Sequence, residues 1–182
     1  LCDSEATIRN IYDEFDELLD KSKPGDTLVF YYCGHGWLDD NKEGYYANYD
    51  VKGNDNAIST KKIASKMKNK FQGATALFFA DCCTSGSIGN SLAKQPGGYS
   101  WGMATSVNPD GGSTSNWTFS QALLDALNGH KFVDANLDGM VSFGELQNYA
   151  AREMKSIDNQ VAGSGSGNGF SDASYLLAKV KD

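Results

Sequence analysis

His35 lies in Tyr31-Tyr32-Cys33-Gly34-His35-Gly36, and two adjacent cysteines lie in Ala80-Asp81-Cys82-Cys83-Thr84-Ser85-Gly86. Each motif follows an apolar run, Thr27 to Tyr32 and Ala76 to Ala80, that reads as a buried strand. Each ends in small residues that let the backbone turn sharply. In an open parallel sheet the carboxyl ends of the strands share one edge, so residues distant in sequence can meet there. The chemistry this allows is a cysteine nucleophile with a histidine base. A thiol near its free pKa is mostly protonated at neutral pH, and His35 would supply the base it needs. Cys83 is the better nucleophile because it directly precedes the Thr-Ser-Gly turn; Cys82 is expected to pack beneath the sheet. The amides of Gly36 and Cys83 are the expected oxyanion donors, since no bulky side chain stands in the way.

Blander readings compete with this one. A lone buried cysteine is usually inert packing, and a lone histidine is more often structural. His130, in Asn128-Gly129-His130-Lys131, reads as such a helix-end residue. A zinc site from Cys33, His35, Cys82 and Cys83 lacks the paired spacing of structural zinc. Four cysteines so placed do not form a disulfide scaffold, and free thiols are expected, with a cytoplasmic setting as the weak corollary.

The elements that must position the motifs follow from periodicity. Ile8, Ile11, Tyr12, Phe15, Leu18 and Leu19 recur at helical spacing from Ala6 to Asp20. A turn at Lys23-Pro24-Gly25-Asp26 leads into the histidine strand. A second helix runs from a cap at Ser59 or Thr60 to about Asn69, burying Ile63 and Met67. Helix, strand, helix, strand is the pattern of a parallel sheet covered by helices. Ser87 to Gly98 reads as an exposed loop, Tyr99 to Ser106 as a third strand, and Trp117 to Leu127 as a helix with Phe119, Leu123, Leu124 and Leu127 inward. A helix from Glu145 to about Met154, a flexible stretch at Ala162 to Gly169 and a last strand near Ala173 to Val180 complete the chain.

The 182 residues are enough for one domain with a substantial core, spanning 1–182. A net charge of -7 argues against a nucleic-acid partner, which needs clustered Lys and Arg. No segment approaches the ~18 apolar residues of a membrane span, and the first residues do not read as the expected pattern of a signal peptide.

Residues 134–145 match the EF-hand loop. Asp134, Asn136 and Asp138 would supply side-chain oxygens, Met140 its carbonyl, Ser142 a direct or water-mediated contact, and Glu145 a bidentate carboxylate, with Gly139 at the sharp turn. Ca2+ is the cofactor this spacing implies. The loop is single, however, and Asn128-Gly129 breaks the entering helix, so a purely structural turn is the alternative.

Taken together, the two strand-end motifs resemble those of caspase-like cysteine peptidases, especially bacterial caspase-family and metacaspase members, which carry Tyr-Ser-Gly-His-Gly and Asp-x-Cys-x-Ser-Gly at strand ends. The resemblance extends through Glu5 to Ile11, Asn48-Tyr49-Asp50 and Asn116 to Phe119. It implies an α/β fold, a three-layer sandwich whose mostly parallel central sheet has helices on both faces. It implies peptide-bond hydrolysis of protein or peptide substrates by a His35–Cys83 dyad, with Gly36 in the oxyanion hole. The family's first strand and helix have no counterpart here, which implies a missing N-terminal segment or a partner chain. Thr84 stands where metacaspases often have His. By the same resemblance Asp81 would bind a basic P1 side chain. The only arginines, Arg9 and Arg152, lie outside the strand-end loops, which disfavours cleavage after Asp. Cleavage after Arg or Lys is therefore expected, with Lys94 as a candidate self-cleavage site. An inactive regulatory or calcium-binding domain is the alternative.

Overall fold

A computed structural model describes residues 1–181. Its centre is a four-stranded sheet in the order β1 (Thr27–Cys33), β5 (Thr75–Asp81), β6 (Ser100–Thr105), β8 (Gly163–Gly167). The first three strands are parallel and β8 is antiparallel to β6. A small antiparallel sheet of β2 (Gly36–Leu38), β3 (Gly44–Tyr46) and β4 (Ile58–Ser59) follows the histidine motif. β7 (Met140–Ser142) and β9 (Leu176–Lys179) form a separate ribbon.

Helices cover both faces, which gives the three layers. On one face α1 (Ile8–Lys21), α2 (Thr60–Lys70) and α3 (Ser87–Lys94) enclose a core of Phe15, Leu19, Ile63, Met67, Phe78 and Leu92, among others. On the other, α4 (Thr118–Leu127) and α5 (Phe143–Asp158) close over Leu77, Phe79, Ala104, Phe119, Phe143 and Leu146. β5 feeds both cores because successive side chains on a strand point to opposite faces. Helix starts are capped as their sequences require: Thr7 accepts from Asn10 N–H, Ser59 accepts from Lys62 N–H, and Ser142 with Glu145 forms a capping box.

Four expectations need correcting. β1 is an edge strand rather than a buried one: Leu28 is buried, but Val29 is 59 % exposed and Tyr31 48 %. Beside it lies a cavity of about 640 Å³ lined by Leu18, Phe30, Tyr31 and Tyr49, among others. Residues 87–94 are helical, not an exposed loop, because Ile88 and Leu92 fall one turn apart and are both buried. Lys94 consequently ends a helix, and cleavage there would require that turn to unwind. In α4 the inward face is Phe119, Ala122, Leu123 and Ala126, whereas Leu124 and Leu127 are 53 % and 46 % exposed. The stretch 162–169 contains β8, a strand of Gly-Ser-Gly-Ser-Gly paired with Trp101–Thr105. A Cβ on Gly167 would run into the Trp101 indole and one on Gly163 into Thr105, so glycine lets this edge lie close.

Among the described residues no helix is long and apolar enough to cross a membrane.

Candidate active site

β1 and β5 are in parallel register, with Cys33 opposite Asp81. His35 and Cys83 each lie two residues beyond that pair, so both leave the sheet at one edge. Gly34 N–H donates to the Asp81 carbonyl at 3.3 Å and keeps the two exits together. The chains then touch: a Cβ on Gly36 would overlap the Cys83 carbonyl and come within 2.9 Å of Cys82 Sγ. Glycine at position 36 is thus required by the close approach of the histidine loop to the cysteine turn.

The two cysteines differ as the sequence implies. Cys82 is buried beneath the turn, its backbone N–H donating to Ser106 Oγ at 3.2 Å. Burial, reinforced by the neighbouring Cys83, Asp81 and Cys33, pushes the Cys82 thiol well above its usual range and keeps it protonated. Cys83 is half-buried, and its Sγ accepts from Ser113 N–H at 3.2 Å. His35 is exposed. All four cysteines are free.

The turn after Cys83 is strained. Thr84 has φ 55°, a left-handed conformation that a β-branched residue adopts only when its surroundings enforce it. Thr84 N–H is held by the Gly111 carbonyl at 2.7 Å, and its carbonyl accepts from Ser87 N–H at 2.9 Å. Ser85 is fully buried, its Oγ accepting from Val107 N–H at 3.1 Å.

Two tyrosines without a role in the sequence reading tie these loops down. Tyr32 O–H donates to the carbonyls of His35 and Ala47, both at 2.9 Å. Tyr46 O–H donates to the Ser85 carbonyl at 2.7 Å. Their rings stack with centroids 4.6 Å apart and planes 9° from parallel. The histidine loop and the cysteine turn therefore hang from one aromatic pair. Tyr32 stands within the histidine motif, but nothing in the sequence links it to Tyr46.

Asp81 is buried, and its Oδ2 accepts from Ser120 N–H at 3.0 Å and from Ser120 Oγ at 2.6 Å. Trp117, at the start of α4, offers no side-chain cap, so the carboxylate reaching from β5 does that work. Tyr31 O–H and Cys33 Sγ also lie against Ser120 Oγ, at 2.8 and 3.9 Å. Ser120 is thus the meeting point of both strand ends, which its place in the sequence does not reveal. No hydrogen bond reaches Asp81 Oδ1 among the described residues.

Residues 134–145 are arranged differently. Asp134 accepts from the amides of Asp138 and Gly139, at 3.2 and 2.9 Å. Glu145 Oε1 accepts from Ala135 and Asn136 N–H, and Oε2 from Ser142 N–H and Oγ. Burial alone would raise the Glu145 carboxyl, but these four donors together hold it below its usual value. Asn136 and Asp138 accept from amides inside the loop. Among the described residues no group of three or more His, Cys, Asp or Glu converges as a metal site, which leaves the four-ligand zinc reading without a centre.

Residues 2–91 match the family described as metacaspase, peptidase C14 domain. Both strand-end motifs lie inside that match. Over those residues, just under half of the chain, it is similar to the caspase-like peptidases of metacaspase type. The metacaspase-like fold has a solved counterpart in the crystal structure of protein GSU0716 from Geobacter sulfurreducens, with a TM-score of 0.61 at 12 % identity. That likeness covers 97 % of this chain and 80 % of the other, and it concerns the fold alone. No curated protein matches the metacaspase-like chain.

Proposed function

We propose that the chain is a cysteine endopeptidase in which Cys83 attacks the peptide carbonyl, His35 takes the thiol proton and returns it to the leaving amine, and water then hydrolyses the thioester. The amides of Gly36 and Cys83 serve the oxyanion. One observation carries this reading: the backbone of Gly36 packs directly on the Cys83 carbonyl, which sets the residue after the base against the nucleophile. Asp81 is assigned to the P1 side chain, where an Arg or Lys head would meet Oδ1 while Ser120 retains Oδ2. A set of fluorogenic peptides differing only at P1, assayed with wild type and Cys83→Ala, tests both levels. Equal turnover by the two proteins would refute catalysis at Cys83, and preferred cleavage after Asp would refute the basic specificity alone.

A further strand is assigned to the free side of β1, supplied by an N-terminal segment or a partner chain, since among the described residues β1 pairs with β5 alone. Calcium is assigned to Asp134, Asn136, Asp138, Met140, Ser142 and Glu145. Binding it would require Glu145 to exchange its amide and hydroxyl donors for the ion. Calorimetry on metal-free protein decides: no heat of binding leaves residues 134–145 a structural turn.

A further inference from the structure

Cys83 Sγ rests against the main chain of Ser113. The Ser113 N–H donates to it at 3.2 Å, and the Ser113 carbonyl lies 3.8 Å from the same sulfur. Among the described residues no hydrogen bond joins the His35 ring to Cys83. A peptide unit of the chain itself thus sits on the atom that would attack a substrate carbonyl.

Ser113 belongs to the segment 108–116, between β6 and α4, which is tied on two sides. Toward the cysteine turn, the Gly111 carbonyl accepts from Thr84 N–H. Toward the end of α5, Gln160 Nε2 donates to the Gly112 carbonyl at 3.0 Å and Asn116 Nδ2 to Asp158 Oδ1 at 2.6 Å. Asn108 N–H also donates to the Val161 carbonyl at 3.0 Å. The ties carry a defect: among the described residues Gln160 Oε1 is buried without a partner. An unsatisfied buried acceptor is destabilising, so the tied state is held against a standing cost. Gly112 has open space where a side chain would be, which leaves the segment room to pivot there.

We infer that segment 108–116 is a displaceable cover over Cys83, latched by Gln160 and Asn116 to the end of α5, and that a peptide substrate must lift Ser113 from the sulfur before attack. This rests on Cys83 being the nucleophile proposed above. It makes residues 158–161, where α5 ends and the chain leaves it, the place from which access to the thiol is controlled.

The test is the rate at which iodoacetamide modifies Cys83 in the intact chain, read residue by residue by mass spectrometry, with exposed Cys2 as internal reference. Gln160→Ala removes one latch bond, and Cys83 modification is expected to rise about three- to tenfold, the worth of one hydrogen bond, while Cys2 is unchanged. Asn116→Ala cuts the second tie and should act in the same direction; it is the variant to read if melting curves show that Gln160→Ala does not fold. An unchanged rate in a folded variant overturns the cover. A lower rate also overturns it, and would assign the Ser113 amide to supporting the thiolate. Because no peptide is cleaved in this measurement, a protein that cleaves nothing can still show the latch, and an active peptidase with unchanged alkylation loses only the cover.

Discussion

The strand-end edge and the 134–145 loop both attract attention as motifs, yet they treat their polar groups in opposite ways. In the loop, Asp134 and Glu145 have both carboxylate oxygens engaged by donors of the same loop. At the edge, His35 is exposed and Cys83 Sγ is held by a single short amide contact. A set of side chains that satisfies itself holds a shape; a set kept available can do chemistry. Residue spacing looks the same in either case, and only the hydrogen-bond partners separate them.

The most severe way to break that contrast is at the dyad. Cys83→Ala and His35→Ala are each expected to lower kcat by at least about a thousandfold with the melting temperature nearly unchanged, whereas Cys82→Ala keeps activity within about a factor of two. Loss of activity in Cys82→Ala at unchanged stability would reverse the assignment of the nucleophile. Gly36→Ala should lower kcat by about a hundredfold, because its Cβ pushes the histidine loop off the Cys83 carbonyl and displaces the proposed oxyanion donor. Asp81→Asn retains an oxygen for Ser120 and is expected to reduce the preference for Arg over Ala at P1 by about tenfold.

In the loop the same kind of change should act on stability alone. Glu145→Gln disturbs a capping box and two loop amides, and chemical denaturation should report a loss of about 1–3 kcal/mol with kcat unaltered. The smallest effect is its pH dependence. The folded Glu145 carboxyl is held below its usual value, so its contribution is present above the unfolded value of about 4.3 and is lost as pH falls through the folded one. Wild type should therefore lose stability faster than Glu145→Gln between those two pH values. A parallel pair of acid titration curves would show that the four donors do not act on this carboxyl.

Much of this was legible in the sequence, for identifiable reasons. β5 declares itself as an unbroken apolar run, and the two helices that precede and follow β1 do so because their apolar residues keep a clean period. The burial of Cys82 followed from its place before the turn. The misread parts lack side-chain information of that kind. β8 has no side chain larger than serine, so its strand character comes entirely from the ladder to β6. α3 looks like a loop because Gly89 lies within it and Gly86 and Pro96 flank it, yet a Cβ on Gly89 would come within 2.9 Å of the Met103 thioether, so the glycine marks close packing. Ser120, Ser113 and Tyr46 acquire their roles only through contacts 30 to 39 residues away in sequence. No local pattern encodes such contacts.

The stacked pair of Tyr32 and Tyr46 bears on motion as well as on position. Each ring is anchored by its hydroxyl to a different loop, one to the His35 carbonyl and the other to the Ser85 carbonyl. A fluctuation that opens the first loop must shear the stack or carry the second with it. The amides of both loops should then exchange with solvent as a single cooperative unit, slower than the surrounding turns. His35 and Cys83 would thus drift together, and their separation would vary less than the position of either one.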